Sequence, residues 1–134
     1  MKGTYIIVIH LQENSEIIIG SLGKLDFIKG YYLYIGSAMG NKGSVTLENR
    51  IKRHVPEPNN KNLFWHVDYL LVSKFCLITK IYLIPTIIRL ECIISKELYR
   101  ASDNYIKNFG SSDCQCPSHL YHFTEFNGIK GCIN

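Results

Sequence analysis

The sequence predicts an α+β fold, a small and mainly antiparallel β-sheet flanked by helices. Short apolar segments that alternate with polar residues or are rich in β-branched residues recur along the chain, and they predict strands. Two segments have a clear helical period, and polar connections rich in glycine or proline separate the elements. A chain of 134 residues, 46% hydrophobic and 19% charged, suits one ordered domain, which we expect to span residues 1–134.

Strands are predicted over residues 4–11, 16–20, 30–36 and 75–84, with shorter extended pieces at 25–28 and 120–126. The polar residues 12–15 predict a turn, so the first two strands are expected to form a hairpin. Pro85 closes the strand 75–84, in which β-branched residues are frequent.

The strand 30–36 holds three tyrosines in one short apolar segment. Alternation directs Tyr32 and Tyr34 to one face of the sheet and Tyr31 to the other. Gly36 allows the backbone to turn or to be approached closely at the end of the strand. These tyrosines are ordinary half-buried strand residues unless partners elsewhere in the chain join them.

The first helix is predicted over residues 46–55, with Ser44 or Thr46 as its N-cap and proline after its end. An apolar stripe faces inward, and Arg50 and His54, four residues apart, share one flank of that stripe. This flank is either a solvated face or one wall of a cleft.

Residues 63–72 are ambiguous between helix and strand, and His66 in this segment could line a cleft or form a structural hydrogen bond.

The second helix is predicted over residues 86–101 and is the clearest in the chain. Its period places Glu91 inside the apolar stripe, beside Ile87 and Ile94. A buried carboxylate needs a cation, hydrogen-bond donors or a metal ion, because burial without a partner costs several kcal/mol. Glu91 therefore either forms an ion pair, reaches solvent at the edge of the stripe, or belongs to a site.

Charge and cysteine content limit the class of protein and its location. A net charge of +4 is compatible with a nucleic-acid partner without deciding it. The apolar residues 75–90 are interrupted by Lys80 and Pro85, so no membrane span is expected. The amino end lacks the pattern of a signal peptide, and five cysteines without framework spacing favour a reducing compartment. We expect a cytoplasmic protein.

Gly3-Thr4-Tyr5, Tyr34-Ile35-Gly36, a helical Arg50 and a helical Glu91 occur in the order that is typical of the GIY-YIG nuclease superfamily. The chain resembles most a small family of unknown function on that core, which also occurs fused to endonuclease-type DNA glycosylases. The resemblance extends from Gly3 to Phe123 and includes residues 65–69 and the tail 109–120. The separation of Tyr5 and Tyr34 exceeds that of typical nucleases, so strand register must bring the two residues together.

The resemblance implies metal-assisted hydrolysis of phosphodiester bonds. Tyr5 matches the tyrosine that deprotonates or orients the attacking water, and Tyr34 matches the one that hydrogen-bonds water or phosphate. Arg50 matches the arginine that stabilises phosphate charge, Glu91 matches the ligand of one Mg2+ (or Mn2+) ion, and His54 matches a further basic group. Tyr5 could act as a base only if its anion were favoured, because free tyrosine has a pKa near 10. Contacts to nucleic acid are expected from Lys42, Arg50, Lys52 and Arg53.

The tail contains Cys114, Cys116 and His119, soft metal ligands close together in sequence. Asp113, Cys92 or His122 could complete a zinc site with them, although a tight turn with partly buried cysteines explains the same pattern.

Three functions follow from these patterns. The leading hypothesis is a metal-dependent endonuclease that acts on nucleic acid, DNA in the first place, in repair or processing. The alternatives are a nucleic-acid-binding module that cleaves nothing and a zinc-stabilised interaction protein that uses the tail.

Overall fold

A computed structural model describes residues 1–40, 46–54, 65–111 and 114–128, with the backbone alone for residues 53 and 54. The strands are β1 (Gly3–Leu11), β2 (Ser15–Ile18), β3 (Lys24–Phe27), β4 (Gly30–Ala38), β5 (Cys76–Pro85), β6 (Asn104–Tyr105) and β7 (Leu120–Phe123). The helices are α1 (Leu47–His54), α2 (His66–Leu71) and α3 (Glu91–Ala101), and a 3-10 turn spans Gly20–Leu22. In the described part of the chain, no helix combines the length and apolar character that crossing a membrane requires.

Five strands form the main sheet in the order β5-β1-β4-β7-β6, and β2 and β3 form a separate two-stranded sheet. Every strand pair among the described residues is antiparallel. The predicted fold class, α+β with a small antiparallel sheet flanked by helices, is therefore confirmed.

The predicted hairpin between residues 4–11 and 16–20 is wrong. β1 lies between β4 and β5, whereas β2 pairs with β3 across the 3-10 turn. Eight of the nine residues of β1 are buried, so its backbone N–H and C=O groups need hydrogen-bond partners along both edges. The four residues of β2 are too few to pair with the nine residues of β1, whereas β4 and β5 pair along its whole length.

The two faces of the sheet carry different layers. One face packs against α1, α2 and the two-stranded sheet, and it carries Tyr5, Tyr32 and Tyr34. The alternation of the tyrosine strand predicts this common face for Tyr32 and Tyr34. Leu33 and Ile35 point to the opposite face, which packs against α3 through Ile94 and Leu98 and against other buried residues.

The first two helices begin at local hydrogen bonds. Thr46 Oγ1 accepts from the Asn49 N–H at 3.3 Å, so Thr46, one of the two predicted caps, caps α1. Ser44, the other, and Val55 lie outside the described residues. The ambiguous segment 63–72 forms α2 where it is described. The Trp65 N–H donates to Asp68 Oδ2 at 2.8 Å and satisfies a backbone donor at the start of this helix.

Helix α3 is shorter than predicted, because it begins at Glu91 rather than near Thr86. Thr86 Oγ1 accepts from the Ile88 N–H at 3.1 Å, a local turn that competes with helix after Pro85. Ile87 is 84% exposed and belongs to no inner stripe. Glu91 is consequently the first residue of the helix and does not lie between two apolar neighbours.

Tyr5 lies opposite Gly36 in the β1–β4 ladder, and its ring covers the backbone there. A Cβ atom at Gly36 would overlap the ring and hydroxyl of Tyr5. Gly36 is thus required for close approach, as its position at the end of the tyrosine strand predicts.

We predict that Gly36→Ala lowers the free energy of unfolding by about 1–3 kcal/mol, because the added methyl group and the Tyr5 ring compete for one volume. Urea denaturation of Gly36→Ala, Tyr5→Ala and the double variant measures this coupling. In the Tyr5→Ala background the cost of Gly36→Ala should fall below about 0.5 kcal/mol. An equal cost in both backgrounds would show that the overlap is not its cause.

Candidate functional site

A cleft of about 690 Å³ opens at the end of the sheet where β1 begins and β4 ends. β7 pairs with β4 from Tyr31 to Tyr34, and one further bond joins the Ile35 N–H to the His119 carbonyl at 3.0 Å. Beyond that bond no described strand pairs with β4 on this side, so groups from both faces of the sheet reach one space. The cleft is lined by Tyr5, Tyr34, Ile35, Gly36, Ser37, Met39, Gly40, Arg50, Trp65, His66, Arg89, Glu91, Gly110 and His119.

Four residues that the sequence predicts as catalytic line this cleft together: Tyr5, Tyr34, Arg50 and Glu91. Tyr5 and Tyr34 are far apart in sequence, but the antiparallel register of β1 and β4 brings their ring centroids to 6.4 Å from each other. The side chain of His54 lies outside the described residues, so its predicted role stays a prediction.

The predicted nucleic-acid contacts are described only in part. Arg50 lines the cleft, and Lys52 is exposed on α1. Lys42 and the side chain of Arg53 lie outside the described residues, so their contacts stay predictions.

Arg50 is held by three groups that differ in chemistry. Its Nη1 donates to the Ser37 carbonyl at 3.1 Å, and its guanidinium stacks over the Trp65 ring at 4.6 Å from the centroid. It also donates a hydrogen bond to the Tyr5 hydroxyl. A planar guanidinium fixed in this way keeps its fork in one orientation at the cleft wall.

Both cleft tyrosines are neutral at physiological pH. Burial raises the pKa of the Tyr5 hydroxyl above its ordinary value of 10.0, although the Arg50 charge and hydrogen bond act in the opposite direction. Burial raises the pKa of Tyr34 as well, and the nearby Tyr5 and Glu91 add to the effect. Each hydroxyl therefore retains its proton.

The surroundings of Glu91 differ from the predicted apolar stripe. Its side chain is 21% exposed and lies 3.5 Å from Arg89 Nη1, whose side chain is 68% exposed. As the first residue of α3, Glu91 also lies where the helix dipole favours a carboxylate. An ion pair with so exposed a partner is weak, so the carboxylate is accessible to another cation.

Sequence patterns did not identify Trp65 and Arg89 as cleft residues, and they left His66 undecided. Trp65 contacts Arg50, which is far away in sequence, so no local pattern could have found it. His66 Nδ1 accepts from the Gly110 N–H at 2.8 Å, and burial lowers the pKa of His66. The imidazole is therefore neutral with its proton on Nε2, a donor rather than a base. Arg89 is two residues before Glu91, and this short spacing could have indicated from the sequence that Arg89 also lines the cleft.

A second group of chemically active side chains lies beside the cleft. Cys92, Cys114, Cys116 and His119 offer ligand atoms that all lie within 4.8 Å of one another, so this cluster could hold a metal ion. Of the candidates to complete the predicted tail site, Cys92 joins it. His122 Nε2 lies 3.0 Å from the Lys29 carbonyl, and Asp113 lies outside the described residues. His119 lines the cleft and belongs to the cluster as well.

The fold and the site define a small α+β domain in which a polar cleft adjoins a thiol–imidazole cluster. The sequence profile of DUF123, a domain of unknown function, matches residues 4–134, and the chain belongs to this family. Comparison with curated proteins and with solved structures returned no match.

We predict that the protein loses stability as the pH rises above about 10. Burial raises the folded-state pKa of the cleft tyrosines, and that of Tyr121 to about 12, so the fold favours their protonated forms. This stabilisation is complete below the ordinary pKa of 10.0 and is lost from there towards the raised values. Absorbance at the tyrosinate band measures the ionisation of the tyrosines, and circular dichroism recorded over the same pH range measures the loss of the fold.

The variant Tyr34→Phe should move the midpoint of alkaline unfolding to higher pH, because it removes one buried hydroxyl that ionises only on unfolding. Tyr99→Phe, at an exposed position, is the matched control and should leave the midpoint unchanged. Ionisation of all nine tyrosines near pH 10 with the fold intact would contradict the prediction.

Proposed function

We propose that the cleft is the active site of a divalent-metal-dependent endonuclease that hydrolyses phosphodiester bonds in nucleic acid, DNA in the first place. The supporting observation is that Tyr5, Tyr34, Arg50 and Glu91, which come from distant parts of the chain, line one cleft. These are the residues through which the sequence resembles the GIY-YIG nucleases, and the resemblance also favours a role in repair or processing.

The cleft offers a phosphate group two kinds of cation. Arg50 presents a fixed guanidinium fork that matches phosphate oxygens, and Arg89 presents an exposed charge in the cleft lining. Lys52 on the outer side of α1 is exposed and can contact a phosphate farther along a strand. Affinity should therefore depend strongly on salt.

The donor set of the cleft fits a magnesium ion. Mg2+ prefers oxygen ligands and retains several waters, so one carboxylate together with the substrate phosphate suffices. Glu91 supplies that carboxylate, and its partly exposed side chain is paired with a surface arginine that a cation can replace. Bound there, Mg2+ or Mn2+ would act as a Lewis acid on the phosphate.

The chain's own residues orient the reactants. A water oxygen attacks phosphorus, the bond from phosphorus to the leaving sugar oxygen breaks, and the proton lost by the water ends on that alkoxide. The neutral hydroxyl of Tyr5 hydrogen-bonds and orients the water, and that of Tyr34 hydrogen-bonds the water or a phosphate oxygen. His66 Nε2–H is a further donor to developing charge. With its pKa raised by burial, Tyr5 keeps its proton and orients the water.

The presence of Glu91 in the cleft supports an enzyme more than a module that binds nucleic acid without cleaving it. A carboxylate near a bound phosphate repels it by about 1–4 kcal/mol at 4 Å, depending on the effective dielectric constant. A module that only binds nucleic acid gains nothing from such a group, whereas a metal-dependent hydrolase requires it.

We predict that the purified protein nicks supercoiled DNA with Mg2+ or Mn2+ and not with a chelator present. Glu91→Gln should lower the rate at least about 100-fold, because it removes the metal ligand. Tyr5→Phe should lower it by about 100-fold through the loss of one hydroxyl donor. Single-turnover cleavage with enzyme in excess measures both.

Two variants serve as matched controls. Glu97→Gln changes a carboxylate of the same helix that pairs with Arg100 away from the cleft. Tyr32→Phe removes a tyrosine hydroxyl of the same sheet face that donates to the Ile28 carbonyl. Both should retain full activity at a temperature where they are folded. Cleavage that persists in Glu91→Gln and Tyr5→Phe would exclude the cleft as the active site.

We further predict that, without divalent cations, Glu91→Gln binds DNA several-fold more tightly than the unchanged chain, because a repulsive charge is removed. Arg50→Ala should weaken binding and reduce its salt dependence. Fluorescence anisotropy with a labelled oligonucleotide checks both changes. Weaker binding by Glu91→Gln would indicate that its carboxylate does not face the phosphate.

A further inference from the structure

The thiol–imidazole cluster is built from two segments that are distant in sequence. Cys92 belongs to the first turn of α3, and Cys114, Cys116 and His119 belong to the segment that leads into β7. Cys116 Sγ lies 3.0 Å from Cys92 Sγ, and Cys114 Sγ lies 3.4 Å from His119 Nε2. We propose that this cluster binds one zinc ion with tetrahedral Cys3His coordination.

The spacing of the four ligand atoms fits one ion. Zinc bonds of about 2.3 Å to sulfur and about 2.0 Å to nitrogen give a tetrahedron with edges of about 3.5–3.8 Å. Two of the separations in the cluster are 3.0 and 3.4 Å and none exceeds 4.8 Å, a range that includes these edges. Small side-chain rotations convert the cluster into the coordinated form.

Hydrogen bonds outside the cluster fix the tail to α3 and to residues 108 and 109 independently of any ion. Ser95, one turn after Cys92, donates its hydroxyl to the Ser118 carbonyl at 2.8 Å, and both residues are buried. The His119 N–H donates to the Phe109 carbonyl at 2.8 Å, and the Asn108 N–H donates to the Pro117 carbonyl at 2.9 Å. The ligands are thus directed towards one point by bonds that do not involve their side chains, which lowers the cost of ordering a metal site.

Burial distinguishes a metal site from ordinary core cysteines. Free cysteines in cores behave as small apolar groups and are among the most buried residues. Here Cys92 is exposed, Cys114 and Cys116 are half-buried, and the imidazole of His119 is buried against a thiol. Packing gives no reason for three thiols to meet at the surface, whereas coordination does.

The ligand types select the ion. Three thiolates and one imidazole form a soft donor set that suits zinc and disfavours Mg2+, which prefers oxygen. Four protein ligands close the coordination sphere, as in structural zinc sites. The zinc would therefore join α3 to the tail and occupy the His119 imidazole, which removes that group from acid–base chemistry in the cleft.

The test is elemental analysis of the full chain purified in reducing buffer without chelator. We expect one zinc per chain, and loss of most of it in Cys92→Ser and Cys116→Ser. Cys76→Ser, a half-buried cysteine of β5 outside the cluster, is the matched control and should keep the metal. Cobalt substituted for zinc should give the intense visible absorption of tetrahedral thiolate coordination.

Stability supplies a second readout. Without a bound metal, substitution of an exposed cysteine changes stability little. A fall in Tm of more than about 5 °C in Cys92→Ser therefore supports the site, provided that a chelator lowers the Tm of the unchanged chain by a similar amount. A chain that contains no zinc and gains no thermal stability from added zinc would overturn the proposal. Iron in place of zinc, or a Cys92–Cys116 disulfide in the reduced preparation, would overturn it too.

Discussion

The contact of the Tyr5 ring with the bare backbone at Gly36 is the constraint on which the candidate site depends. It requires that β1 and β4 pair in one register, because a shift by one residue would direct Tyr5 to the α3 face of the sheet. In that register Tyr34 becomes the diagonal neighbour of Tyr5 on the same face, and Arg50 contacts the Tyr5 hydroxyl from α1. The pairing of β1 with β4 at the centre of the sheet thus sets the geometry of the cleft.

Two sites of opposite chemical character share one wall. Glu91, a hard oxygen ligand, and Cys92, a soft sulfur ligand, are consecutive residues at the start of α3, and His119 borders both sites. Consecutive helical residues differ in direction by about 100°, so each side chain faces its own site. In our proposals the cluster fixes the helix end from which Glu91 projects, and the cleft performs the chemistry.

Local patterns in the sequence predicted what depends on neighbouring residues. Alternation predicted the faces of Tyr32 and Tyr34, and the cap of α1 was narrowed to Ser44 or Thr46, because each effect acts over a few residues. The partner of β1 was predicted wrongly, since pairing depends on which distant strands are long enough to bond the whole backbone of β1. The contacts of Trp65 with Arg50 and of Cys92 with the tail join distant segments that no local periodicity connects.

The central claim is that a hard divalent cation binds at Glu91 in the tyrosine–arginine cleft. Paramagnetic broadening of amide NMR signals by Mn2+, recorded with a non-cleavable phosphodiester, tests it most directly. The account predicts that signals of cleft residues such as Gly36 and Gly110 broaden first, and that Glu91→Gln abolishes the effect. Broadening that is centred elsewhere, or that is unchanged in Glu91→Gln, would contradict it.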